Sequence, residues 1–126
     1  MISLFITFLF ATLIFTRILA YVFHDSKNYG TKREKSKTLT FVLRRKTNYD
    51  IHHIHIGFIL LIFITFLISI KGFTQFAEIG LAISLSLIAD QIFPLLKFGN
   101  YFSRKMITVS ITLHSLISLL YLIITN

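Results

Sequence analysis

The chain has 126 residues, with no cysteine, no tryptophan, one proline and only five acidic residues. The lack of cysteine excludes disulfides and thiolate metal ligands together, so any bound metal would rest on imidazole and carboxylate. The lack of tryptophan leaves tyrosine and phenylalanine to form any aromatic belt at a membrane boundary. Charge is scarce as well: 14% of the residues are charged and 55% are hydrophobic. The charges also cluster, which leaves long runs almost free of them, a pattern suited to lipid rather than to a water-soluble core. Strict alternation of polar and apolar residues is missing from those runs, which argues against the strands of a membrane barrel.

What is present is four apolar runs, over residues 2–23, 51–70, 79–96 and 106–125. Each is close to the roughly 20 residues that a helix needs to cross a bilayer core. Backbone groups in lipid must be satisfied within their own segment, so each run is expected to be a helix. The expected fold is an all-α integral membrane protein, a single four-helix transmembrane bundle over residues 1–126. The first run contains Arg17, lacks a basic leader and is long for a signal peptide, so it is expected to be a retained helix.

Lysine and arginine in the loops set the expected orientation. Residues 24–50 carry Lys27, Lys32, Arg33, Lys35, Lys37, Arg44, Arg45 and Lys46, and the last connection adds Lys97, Arg104 and Lys105. Lys71 stands alone in the opposite loop. Both termini are therefore expected outside and the basic loops in the cytoplasm. Within the long loop, residues 26–37 read as a flexible polar stretch and residues 38–43 as β-prone or interfacial. The basic residues would draw anionic lipid headgroups, at about 1 kcal/mol each. The alternative reading is that they only set topology, and nothing displays them on a folded domain as nucleic-acid binding requires. Tyr21, Tyr29, Tyr49, Tyr101 and Tyr121 lie near the expected helix ends and read as interfacial anchors.

Ionisable residues within the apolar runs are the lead to function, because an intramembrane charge costs several kcal/mol unless paired or hydrated. Arg17, Asp90 and His114 come from three different runs and fall at nearly one depth, toward the cytoplasmic side. Arg17 and Asp90 form the obvious neutral pair, which can serve either as packing between helices or as part of a site. Pro94 lacks an N–H, so the Asp90 carbonyl four residues earlier loses its helical partner. Ala82, Ser86 and Asp90 on the third run match Ser110, His114 and Ser118 on the fourth. Pairing these antiparallel stripes through a turn near residue 101 predicts that Asp90 faces His114. Such a contact would fix the imidazole tautomer and raise its basicity.

The run His52-His53-Ile54-His55-Ile56-Gly57 opens the second helix. His52 and His55 share a face, His53 points about 100° away, and Gly57 permits close approach of a neighbouring helix. His24 closes the first helix on the same face as Arg17. Because side chains lean toward a helix's N-terminus, His24, His52, His55 and His114 form the candidate metal-ligand set, with zinc or iron as the ion. Asp90 would then support His114 or neutralise Arg17, and Arg44 and Arg45 would hold a lipid phosphate.

Three functions fit this pattern. The first is a metal-assisted, hydrolase-like reaction on a membrane lipid, with Asp90 and His114 handling protons. The second is a proton or cation transporter, a small homo-oligomeric carrier built on Arg17, Asp90 and His114. The third is a structural or assembly subunit of a larger membrane complex.

Overall fold

The computed structural model describes residues 3–23, 52–96 and 100–125. These form four α-helices: α1 (Leu4–Phe23), α2 (His53–Lys71), α3 (Gln75–Leu95) and α4 (Arg104–Thr125). Each is long and apolar enough to cross a membrane. At 1.5 Å per residue they measure about 28–33 Å, close to the thickness of a hydrocarbon core. The long loop, with His24, Arg44, Arg45 and the β-prone residues 38–43, lies outside the described residues.

Two helices start earlier than their apolar runs, because polar side chains cap them. Thr74 Oγ1 accepts the Ala77 N–H at 3.2 Å, which opens α3 at Gln75 rather than near Ile79. Ser103 Oγ accepts the Met106 N–H at 3.2 Å, and Asn100 Oδ1 accepts the Phe102 N–H at 2.9 Å. Helix α4 therefore opens at Arg104. Between α2 and α3 the chain turns at Gly72, whose φ of 75° suits glycine, and its N–H closes α2 on the Ile68 carbonyl at 2.9 Å.

Helix α3 is the hub. Among the described helices α1, α2 and α4 all pack on it, α1 also meets α4, and α2 touches α3 alone. Close approach of α2 needs two glycines. A Cβ on Gly57 would lie 3.0 Å from the Ser84 carbonyl oxygen, and one on Gly80 would lie 2.4 Å from Ile64 Cδ1. Helix α1 runs parallel to α3, and its start is tied to the start of α3: Phe5 N–H and Ser3 Oγ both donate to Glu78 Oε1 at 3.1 Å.

Polar side chains are buried beside an apolar core of Phe5, Leu9, Ile54 and Ile64, while large apolar side chains face outward. Ser84, Ser86, Asp90, Gln91, Ser110 and His114 are buried. Ile59, Ile62, Phe66, Ile123 and Ile124 are more than half exposed. Polar groups inside and apolar groups outside is the arrangement that a lipid solvent selects.

Candidate polar site within the bundle

The centre of the site is the Asp90 carboxylate, fully buried on α3. Its Oδ1 accepts from Arg17 Nε at 2.8 Å and from Ser110 Oγ at 2.8 Å, and Arg17 Nη2 lies 2.6 Å from the same oxygen as an ion pair. Its Oδ2 accepts from the Tyr101 hydroxyl at 2.5 Å and lies 3.3 Å from His53 Nε2. One carboxylate thus ties together α1, α2, α3, α4 and the segment leading into α4. Arg17 reaches further: Nη1 donates to the Tyr101 carbonyl at 2.6 Å, and the guanidinium lies 3.9 Å from the centroid of the Tyr101 ring. The expected Arg17–Asp90 pair is therefore present, and it sits in a cage of polar partners.

Tyr101 belongs to that cage and is not an interfacial anchor. It is buried, with its ring against the cation and its hydroxyl on the anion. Near a helix end a tyrosine reads as a belt residue, and only the fold back of the segment before α4 reveals the other use.

The register of α3 against α4 differs by one turn from the expected one. Asp90 faces Ser110, and His114 faces Ser86, with His114 Nε2 2.9 Å from Ser86 Oγ. The early start of α4 is the cause, since capping by Ser103 shortens the connection and slides α4 along α3. His114 Nδ1 donates to the Ser110 carbonyl at 2.7 Å, because a carbonyl can only accept. A neutral His114 is consequently the Nδ1–H tautomer, with Nε2 accepting from Ser86. Both ring nitrogens are thereby engaged within the bundle.

The imidazole that Asp90 does meet is that of His53. This is the histidine that sequence spacing turns away from His52 and His55. Its Nε2 is buried against the carboxylate, while its side chain as a whole is 22% exposed. The rest of the ring therefore carries the exposure. Its neighbours His52 and His55 serve the start of α2: the His52 N–H donates to His55 Nδ1 at 3.1 Å, and Gln91 Oε1 accepts the Ile54 N–H at 3.4 Å. A pair three apart at a helix start has the spacing of an N-cap and the third helical residue, and that spacing was the available signal for this role.

Among the described residues no three histidine, aspartate or glutamate side chains converge as a metal would require. His52 and His55 have ring centroids 6.3 Å apart at the start of α2, and His114 sits with Ser86 and Ser110. His24 of the expected ligand set lies outside the described residues.

A further carboxylate escaped sequence reasoning. Glu78, at the far end of α3, accepts from the Tyr121 hydroxyl at 2.7 Å as well as from Ser3 and the Phe5 N–H. It falls on the same stripe as Ser86 and Asp90, each a multiple of four residues apart, and could have been found by extending that stripe one step past Ala82. The chain matches no protein-family model, no curated protein and no solved structure.

Proposed function

We propose that the protein is a multi-pass membrane protein that carries protons between its two faces through the polar seam along α3. Both termini lie outside in this reading, which puts His53, Asp90 and the basic loops toward the cytoplasm. The supporting observation is the row of ionisable and hydroxyl side chains that begins at the partly exposed His53 and continues through the buried Asp90, Ser110, His114 and Ser86. Buried groups of this kind within membrane helices characteristically form proton relays.

The chemistry follows from the donors and acceptors. His53 takes a proton at its exposed side and offers one from Nε2 to Asp90 Oδ2. Arg17, Tyr101 and Ser110 hold the carboxylate in place and disperse its charge. Onward movement needs the Ser110 hydroxyl to turn from Asp90 toward His114, and the His114 ring to turn so that its unprotonated Nε2, which faces Ser86 at rest, meets that hydroxyl. Asp90 then gives its proton to the Ser110 oxygen as the Ser110 proton passes to Nε2. Return of the ring sets the protonated Nε2 against Ser86 and forces the Ser86 hydroxyl to reverse. The chain is therefore closed at rest and moves protons only as these two hydroxyls and the imidazole rotate.

Metal-assisted lipid hydrolysis has less support, because the described histidines do not converge. The assembly-subunit reading assigns Arg17 and Asp90 to packing alone. Reconstitution distinguishes the readings. Full-length protein in phosphatidylcholine–phosphatidylglycerol vesicles, loaded with a pH-sensitive dye, should acidify or alkalinise under an imposed potential. His53→Gln should slow that flux at least about tenfold, the loss expected when a proton-transferring group is removed. Flux equal to that of empty vesicles in the wild type would refute the proposal.

A further inference from the structure

Resting on the proton-transport reading, we infer that Glu78, held by Tyr121 and Ser3, is the second proton-exchange site, and that Phe5, Leu9 and Ala82 form an apolar seal between it and His114. The seam then has a terminal acid at each end, Asp90 with His53 at one and Glu78 with Tyr121 at the other.

Three independent observations place Glu78 in this role. It lies on the Ser86–Asp90 stripe of α3, eight residues before Ser86 and so about 12 Å along the helix. It is partly exposed, so it can exchange with water, as a terminal site must. Its three hydrogen-bond donors, Ser3 Oγ, the Phe5 N–H and Tyr121 OH, all act on Oε1. Among the described residues none is recorded on Oε2, which is thus the oxygen offered to a proton.

The seal occupies the gap between Ser86 and Glu78. Phe5, Leu9 and Ala82 form a buried apolar cluster with no more than 1% exposure. The Tyr121 ring stacks on Phe5 with centroids 4.1 Å apart, while its hydroxyl bonds Glu78. Tyr121 therefore links the seal to the acid, and movement of the stack would change both at once. Transfer across the gap requires a transient file of waters. His114 gives its Nε2 proton to the Ser86 oxygen as the Ser86 proton passes to the first water, protons shift along the file, and the last water gives a proton to Glu78 Oε2. Glu78 then releases the proton to bulk water and returns to carboxylate, so charge and protons balance.

The test uses the full chain in the same dye-loaded vesicles. Glu78→Gln should reduce proton flux at least tenfold, and Glu78→Asp should restore most of it, which a merely structural role of the side chain would not require. Ala82→Ser places a hydroxyl in the seal and should raise flux severalfold, a gain that misfolding cannot mimic when the variant stays helical and monodisperse. Wild-type flux in Glu78→Gln together with lost flux in Asp90→Asn would overturn the role of Glu78 and leave the transport reading standing. Unchanged flux in both would overturn the transport reading itself. Unchanged flux in Ala82→Ser would overturn the seal, and sodium movement in place of protons would overturn the proton as cargo.

Discussion

Replacing Arg17 with methionine tests the buried cage most severely. The substitution keeps an apolar stem in α1 and removes three polar contacts: Nε to Asp90 Oδ1 at 2.8 Å, Nη2 to the same oxygen at 2.6 Å, and Nη1 to the Tyr101 carbonyl at 2.6 Å. Asp90 would keep Ser110 at 2.8 Å, Tyr101 at 2.5 Å and His53 at 3.3 Å, but would lose its formal counter-charge. Removing one partner of a buried ion pair costs about 3–5 kcal/mol, because the other charge is left uncompensated. Replacing both, as Arg17→Met with Asp90→Leu, should recover most of that loss, since apolar substitutes of similar size often match a buried pair. The complementary swap, Arg17→Asp with Asp90→Arg, should fail to restore stability. The neighbours are polarised: the Tyr101 and Ser110 hydroxyls and His53 point at an anion on α3, and the Tyr101 carbonyl points at a cation on α1. Unfolding free energy in mixed micelles, by steric trapping, gives all four values. A cost below about 1 kcal/mol for Arg17→Met, or full recovery in the swap, would refute the cage.

Two further predictions concern packing and topology. Gly80→Ala places a Cβ 2.4 Å from Ile64 Cδ1 and should destabilise the α2–α3 contact by about 1–3 kcal/mol, with Ile64→Ala as a second substitution relieving the loss; unfolding measurements on the pair check this. The absence of native cysteine makes single-cysteine labelling clean. Ser3→Cys should react with an impermeant maleimide from outside intact cells and Thr38→Cys only after lysis, and the reverse pattern would invert the orientation.

The four helices were legible because runs of this length and apolarity leave the backbone few alternatives to helix. The Arg17–Asp90 pair was legible because two isolated opposite charges at matching depth must meet or be hydrated. Register was not legible at the level of a turn. Apolar runs mark what lipid can cover, whereas Thr74 and Ser103 decide where the backbone begins to wind, and the capping by Ser103 moved Asp90 from His114 to Ser110. The assignment of histidines also depended on tertiary contacts. A face-sharing pair, His52 and His55, suggested ligands but caps its own helix, while His53, about 100° round the helix from His52, meets α3. Tyr101 and Glu78 were overlooked for one reason: residues near helix ends satisfy a boundary role on paper, and only the packing of α1 shows that both are bonded inward.

The most direct test of the central claim is proton flux through the reconstituted Asp90→Asn protein. Asparagine keeps the shape and leaves an oxygen for Arg17, but it cannot take a proton from His53 and hand one on. The account predicts a folded protein whose flux falls at least about tenfold below wild type. A folded Asp90→Asn protein with wild-type flux would contradict it and leave Asp90 a packing residue.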